Sequence, residues 1–126
     1  MERRLITGHS PYEGVAGFSR AVVAGDRVHV AGTAPIPPDG SPTPESAYEQ
    51  AAVCLAIIRG ALERAGSGLE HVVRTNIYVT APEHWDEVAR AHGEVFRDVR
   101  PAATCVVAQL LDPTWKVEIE AEAILP

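Results

Sequence analysis

The C-terminal segment places the tightest constraint on how this chain can fold. In the predicted strand Lys116–Leu125, apolar residues alternate strictly with three glutamates. A period of two is typical of a strand that has one buried face and one polar face. The sequence therefore predicts a sheet with a polar second face at this strand. The apolar positions are Val117, Ile119, Ala121 and Ala123, and the polar positions are Glu118, Glu120 and Glu122.

The preceding predicted strand, Ala103–Leu111, differs because both of its faces are apolar. A strand of this kind needs cover on both sides, and helices on one face of a sheet supply only one. We therefore expect the chain to associate with copies of itself through the face that the helices leave open. One side of the strand carries Thr104, Val106, Ala108 and Leu110, and the other carries Ala103, Cys105, Val107, Gln109 and Leu111.

The remaining segments predict an α+β mixed sheet with both helices on one face, in one domain spanning residues 1–126. The predicted order is β-β-α-β-α-β-β, after an N-terminal stretch that is either an irregular arm or a short edge strand. Residues with a period near 3.6 mark the two helices. The first two strands are Phe18–Ala24 and Arg27–Thr33, with a turn at Gly25-Asp26. The first helix is capped at Thr43-Pro44 or Ser46 and is stopped by Gly66-Ser67-Gly68, and strand His71–Thr80 follows it. Pro82 opens the second helix, whose apolar stripe is Trp85, Val88, Ala89, His92, Val95 and Phe96.

Composition excludes several functional classes. The 126 residues carry a net charge of −6, which argues against a nucleic-acid partner because phosphate binding relies on clustered cations. No apolar run is long enough for a membrane span. Cys54 and Cys105 are far apart, which is typical of reduced thiols and predicts a cytoplasmic protein. The histidines lack metal-ligand spacing, so we expect no metal and no cofactor.

Three segments resemble the Rid/YjgF proteins, also known as the L-PSP endoribonuclease-like family. The first segment, residues 17–22, reads Gly-Phe-Ser-Arg-Ala-Val and is similar to the family's Pro-Tyr-Ser-Gln-Ala-Val strand. The Val-Ala-Gly-Thr that follows at 30–33 is similar to the family's Ser-Gly strand. Residues 100–106, Arg-Pro-Ala-Ala-Thr-Cys-Val, resemble its Pro-Ala-Arg-Ser-(Cys/Thr)-Val signature. Residues 116–123 resemble its Val-Glu-Ile-Glu-Ala-x-Ala ending. The resemblance is collinear over nearly the whole chain.

The resemblance implies a chorismate-mutase-like fold and a homotrimer with a ligand cleft at each subunit interface. It also implies hydrolysis of reactive imines or enamines, such as those released by pyridoxal-phosphate enzymes, to keto acids and ammonia. In the family, an arginine of the Pro-Ala-Arg motif holds the substrate carboxylate, and a tyrosine on the first strand orients the substrate. A glutamate in the last strand positions or activates water.

This chain departs from that pattern at two of the positions. Ala103 stands where the family has the arginine, and Phe18 stands where it has the tyrosine. Without the arginine, the cleft cannot bind a carboxylate in the family's manner. Arg20 and Arg100 are the candidate replacements, although Arg100 lies at odd spacing from Ala103 and would face the opposite side of a regular strand.

Other site positions match the family. Glu120 is the candidate catalytic residue, Cys105 is kept, and Gly32 and Thr33 preserve the turn that contacts substrate. The predicted substrate-binding residues are Phe18, Arg20, Gly32, Thr33, Ala103 and Cys105.

Each candidate also has a structural interpretation. Glu120 is either a water-positioning base or one of several solvated or interface-paired carboxylates, with Arg74 as a partner. Arg20 either contacts an anion or pairs with an acidic side chain. His92 is either a packed, hydrogen-bonded residue or a catalytic one. Cys105 has no neighbouring His or Lys in the sequence, which favours a small apolar role.

Three functions are consistent with these features. The first is a homotrimer that binds a small metabolite and hydrolyses imines or enamines with diverged specificity. The second is a non-catalytic small-molecule-binding or chaperone-like protein. The third, RNA cleavage, is disfavoured by the acidic charge and by the lack of a basic, aromatic groove.

The apolar strand generates a first prediction, on oligomeric state. Light scattering at micromolar protein concentration should give close to three times the chain mass of 13.5 kDa, because a monomer would leave one apolar face uncovered. A monodisperse monomer would contradict both the expected trimer and the location of the cleft.

Overall fold

A single six-stranded mixed sheet and two main helices make up the computed structural model, which describes residues 2–126. The spatial order of the strands is β1-β2-β3-β6-β4-β5. All neighbouring pairs are antiparallel except β4 and β5, which are parallel. The elements are β1 (Arg3–Ile6), β2 (Ala21–Ala24), β3 (Arg27–Thr33), α1 (Ala47–Arg64), β4 (Val72–Val79), α2 (Trp85–Phe96), β5 (Ala102–Val107) and β6 (Val117–Ile124), with short helical turns at Glu13–Gly17, Leu69–His71 and Pro82–His84.

The hydrophobic core lies between the sheet and the helices, which occupy one face as the sequence predicts. The alternation in β6 is confirmed, since its four apolar residues are almost fully buried and its glutamates lie on the other face. Ile77 of β4 and Val28 and Val30 of β3 share the buried face with Ile119 of β6. The opposite face of the sheet, here called the open face, has no helix on it.

Several boundaries differ from the predicted ones, and strand pairing explains the differences. The N-terminal stretch contributes an edge strand, β1. The second strand begins at Ala21 instead of Phe18, where its pairing with β1 starts. The fifth ends at Val107 instead of Leu111, because its partner β4 ends at Val79 and offers no further hydrogen-bonding groups.

Helix α1 begins and ends where its capping residues place it. Ser46 is the N-cap, and its Oγ accepts a hydrogen bond from the Glu49 backbone N–H at 3.0 Å, which selects this start over Thr43-Pro44. At the other end, Gly66 has a φ of 90°, a left-handed conformation that suits glycine. The backbone N–H of Ser67 closes this end on the carbonyl of Leu62 at 2.8 Å.

A buried glutamine joins α1 to the start of β6. Gln50 is 1% exposed, and its side-chain N–H groups donate to the carbonyls of Pro44 at 2.8 Å and Thr114 at 3.0 Å. Its Oε1 accepts from the Lys116 backbone N–H at 2.7 Å. A buried amide costs little when both its donors and its acceptor are satisfied, so Gln50 fixes where β6 enters the sheet.

Helix α2 packs through a narrower stripe than the sequence predicts. Val88, Ala91 and Phe96 are buried, whereas Trp85 is 41% exposed at the first turn, next to solvent. His92 is half-buried and lies 2.9 Å from the Thr75 hydroxyl of β4 through its Nε2. Burial lowers the pKa of His92, which favours the neutral ring. These contacts support the packing role for His92.

One glycine just beyond the end of α1 and one inside the helix make a matched stability prediction. Gly66→Ala should lower the free energy of unfolding by about 1 kcal/mol, because a Cβ disfavours the left-handed conformation. Gly60, inside the helix, has open space where a Cβ would lie, so Gly60→Ala should raise it by about 0.5–1 kcal/mol. Urea denaturation at one fixed protein concentration measures both, and changes of the same sign would contradict the assigned helix end.

Candidate functional site

A groove of about 800 Å³ crosses the open face of the sheet from β1 to β4. Strands β3 and β6 form its floor, and the segment that follows β1 forms one wall. Polar and apolar side chains both line it, which suits a small polar ligand. The lining residues are Arg3, Leu5, Glu13, Gly14, Gly17, Phe18, Ser19, Val22, His29, Val30, Ala31, Asn76, Glu120, Ala121 and Glu122.

Glu120 is held in this groove by a tyrosine from the neighbouring strand. The register between β4 and β6 places Tyr78 diagonally across from Glu120, and the Tyr78 hydroxyl donates a short hydrogen bond to Glu120 Oε1. This hydrogen bond, together with burial and the nearby negative charge, raises the pKa of Tyr78, so the phenol remains a donor. The bond occupies Oε1 and leaves Oε2 of Glu120 available to a ligand or water.

Phe18 lies against the groove at the end of the short π-helical turn Glu13–Gly17. Its backbone N–H donates to the Glu13 carbonyl at 3.1 Å, and its side chain is 42% exposed. Glu13 anchors the turn, since its Oε2 accepts from the Gly8 backbone N–H at 2.8 Å. Phe18 thus presents an aromatic surface to the groove, without the hydroxyl of a tyrosine.

Arg20 binds backbone oxygens of β3 and is not among the residues that line the groove. Its Nη2 donates to the carbonyls of Ala31 at 2.8 Å and Gly32 at 2.7 Å, and its buried Nε makes no hydrogen bond within residues 2–126. Burial lowers the pKa of Arg20, although Glu13 and Glu118 oppose this shift. In this conformation Arg20 stabilises the part of β3 where its register with β6 shifts, between Val30 and Thr33, and its Nη2 is occupied by backbone carbonyls.

Gly32 makes room for Glu118 beside this arginine. A Cβ at position 32 would lie only 2.5 Å from Glu118 Oε2, so a larger residue would displace the carboxylate. Burial raises the pKa of Glu118, while the positive charge of Arg20 acts in the opposite direction. Glu118 is therefore packed against the irregular part of β3 instead of facing the groove.

The third glutamate of β6 also has a partner within the chain. Glu122 Oε1 lies 3.4 Å from Nδ1 of His29, and both side chains are about half exposed. Among the ion pairs formed by the described residues, none involves Arg74. Within one chain, His29 is thus the partner of Glu122, and pairing of the glutamates with Arg74 across a subunit interface stays a prediction.

The remaining predicted site residues lie on the helix-facing side of the sheet. Thr33 is fully buried, and its hydroxyl donates to the Ala31 carbonyl at 2.8 Å. Ala103 pairs with the buried Thr75, and Cys105 pairs with Ile77 and packs against the core. Burial raises the pKa of Cys105, which disfavours a reactive thiolate. Strand β4 separates Ala103 from Glu120 within one chain.

Arg100 also lies apart from the groove. It precedes β5 in a left-handed turn with a φ of 56°, and its backbone N–H donates to the Phe96 carbonyl at 2.8 Å, which ends α2. Because residue 100 precedes the strand, the alternation of β5 does not fix the direction of its side chain.

Sequence reasoning missed the contribution of β4 and β3 to the groove. Asn76 and Tyr78 alternate with the buried Ile77 and Val79, so the sequence did place them on a polar face. The missing information was the strand register, which brings Tyr78 to Glu120. His29 was recognised only as a strand residue without metal-ligand spacing. No group of three or more His, Cys, Asp or Glu side chains within residues 2–126 could hold a metal ion.

Comparison with known proteins identifies the family. The family described as Endoribonuclease L-PSP matches residues 7–125. A crystal structure of a Mycobacterium tuberculosis member of the YjgF family has a TM-score of 0.89 and 37% identity, covering 98% of this chain and 99% of that one. A Neisseria meningitidis YjgF-family structure has a TM-score of 0.85 and 31% identity, covering 100% and 97%.

Proteins with similar sequences indicate the same family. An uncharacterised protein of Streptomyces coelicolor is 41% identical over 122 residues, which cover 96% of this chain and 90% of that protein. A RutC family protein of Sinorhizobium fredii is 32% identical over 108 residues, covering 85% and 86%. The chain belongs to the Rid/YjgF (Endoribonuclease L-PSP) family, and the resemblance found in its sequence is confirmed.

No helix in the described part of the chain is long and apolar enough to cross a membrane.

The contact between Tyr78 and Glu120 predicts a specific tyrosine titration. Two phenols have a raised pKa, Tyr78 beside Glu120 and Tyr48 beside Glu94. Glu120→Gln should bring the Tyr78 pKa down, because it removes the negative charge that opposes phenolate formation. Absorbance titration of the wild type and of Tyr78→Phe shows which part of the phenol titration belongs to Tyr78. Glu94→Gln is the matched control and should move only Tyr48; an unchanged curve for Glu120→Gln would refute the contact.

Proposed function

We propose that this protein binds a small nitrogen-containing metabolite in the open-face groove and hydrolyses imines or enamines with a specificity that differs from arginine-bearing relatives. The observation that carries the proposal is Glu120, held by Tyr78 and lining the groove beside Phe18. A carboxylate with one oxygen fixed and the other free is well suited to position a water molecule. Membership of the Rid/YjgF family supports the same reaction class.

The proposed reaction needs only water and the side chains of the groove. Glu120 takes a proton from a bound water as the water oxygen bonds to the carbon of the C=N group. Glu120 passes this proton to the nitrogen, which gives a carbinolamine. The hydroxyl proton of the carbinolamine then moves to the nitrogen, the C–N bond breaks as the C=O bond forms, and ammonia leaves. An enamine enters this sequence after it has taken up a proton on carbon and lost one from nitrogen to become the imine. Tyr78 keeps Glu120 oriented, and Phe18 limits the positions that the substrate can adopt.

We further propose that the groove is completed by neighbouring copies in a homotrimer. Strand β5 supports this, because it is an edge strand whose two sides expose Val106 at 44% and Val107 at 56%. The open face of the sheet has no helix of its own chain to cover it. A ligand would then lie between the groove of one subunit and residues near Ala103 of another.

RNA cleavage, which the family description names, has weaker support. The groove contains Glu13, Glu120 and Glu122 against Arg3, so its lining repels a phosphate backbone. Phe18 is the one aromatic residue other than His29 that lines it, which gives bases little stacking surface.

The missing arginine leads to a prediction on activity. The wild type should hydrolyse imines derived from 2-aminoacrylate about ten- to a few-hundredfold less efficiently in kcat/KM than an arginine-bearing relative, because charge-assisted hydrogen bonds to the carboxylate are absent. Ala103→Arg combined with Phe18→Tyr should raise hydrolysis measurably. An assay of released ammonia measures both effects.

Two further measurements make this test decisive. Adding Glu120→Gln to the double variant should abolish the gain, since the added arginine only binds substrate. Wild-type turnover equal to that of an arginine-bearing relative would show that another residue binds the carboxylate. Saturable ligand binding without ammonia release, in both wild type and double variant, would favour a purely binding role.

A further inference from the structure

We infer that the open-face groove selects ligands that carry a positive charge on nitrogen and lack a carboxylate. The inference rests on the proposed function, because it concerns the ligand of the same groove, and it specifies the substrate class. Protonated amines, amidines and iminium ions have this chemistry. Amino-acid-derived imines, which carry a carboxylate, do not.

The first step is that the candidate cations for a carboxylate lie elsewhere. Arg20 adjoins the groove, but its Nη2 donates to the carbonyls of Ala31 and Gly32, and the residue is not part of the groove lining. Position 103 holds an alanine on the opposite side of the sheet, and Arg100 lies in the turn after α2. The guanidinium groups of Arg20 and Arg100 therefore do not line the groove, and Arg3, on the edge strand β1, is the one arginine that does.

The second step is that the charges lining the groove favour a cation. Glu13, Glu120 and Glu122 contribute three carboxylates, whereas Arg3, on the edge strand β1, contributes the one guanidinium. Gly8, Tyr78 and His29 each contact one oxygen of Glu13, Glu120 and Glu122, respectively. The other oxygen of each carboxylate remains an acceptor. A ligand cation would be attracted by this lining, and a ligand anion repelled.

The third step is the aromatic wall. Phe18 presents an exposed ring to the same groove, and a ring face attracts a cation that lies above it. A tyrosine at this position could also donate a hydrogen bond to an anionic group, whereas phenylalanine cannot. The change from tyrosine to phenylalanine and the change from arginine to alanine thus act in the same direction, away from carboxylate ligands.

Three probes of similar shape test the charge preference on the full-length protein. They are 2-phenylethylamine, 2-phenylethanol and phenylacetate, which are cationic, neutral and anionic at pH 7. Calorimetric titration at low salt should show the amine binding at least about tenfold more tightly than phenylacetate, equivalent to about 1.4 kcal/mol. The alcohol should lie between them, and added salt should weaken the amine most.

Charge-neutral variants connect this preference to the groove. Glu120→Gln should weaken amine binding about five- to tenfold while leaving the alcohol unchanged, because it removes one nearby charge. Glu122→Gln provides a second test if the first variant folds poorly. Glu83→Gln is the matched control, since Glu83 is exposed and does not line the groove.

Each other outcome would overturn the inference in a distinguishable way. If phenylacetate binds as tightly as the amine, the groove has no charge preference. If Glu120→Gln still affects the binding of either ligand in that case, the groove remains the binding site. Amine binding unaffected by both glutamate variants would place the cation site elsewhere. Absence of binding by all three probes would also overturn it, and the ammonia assay would then decide the proposed function independently.

Discussion

The two faces of strand β6 determine how the rest of the molecule is arranged. On one face, four closely packed apolar residues form the floor of the core beneath the helices, and their burial is the main favourable contribution to folding. On the other face, three glutamates alternate with them in register. Since side chains along a strand must alternate, the residues that stabilise the core automatically place a row of carboxylates on the open face. The candidate site depends on this geometry.

Each glutamate has a different environment because β6 lies between β3 and β4. Glu118 packs beside Gly32 and Arg20, Glu120 accepts a hydrogen bond from Tyr78, and Glu122 lies beside His29. Three identical side chains on one strand thus acquire separate roles. Glu120 lines the groove with one oxygen held by the Tyr78 hydroxyl, which makes it the candidate for chemistry.

The family's fold is kept in this chain, whereas two positions of the family's sequence pattern carry other residues. Alanine at position 103 and phenylalanine at position 18 stand where the sequence resemblance places an arginine and a tyrosine. Arg20, which could compensate by its charge, instead stabilises the β3 backbone through two carbonyl oxygens. The scaffold tolerates these residues because both positions are exposed within one chain and lie outside the hydrophobic core.

The sequence by itself determined the period of each strand, the helix caps and therefore the α+β class, because local spacing decides which side chains share a face. It also identified Glu120 and Phe18, and both lie in the groove. Only the tertiary structure decided the register between β4 and β6, which brings Tyr78 to Glu120, and the direction of the Arg20 side chain. Pairing between strands distant in sequence depends on packing across the whole sheet, and an arginine's direction depends on which acceptors the fold places within its reach.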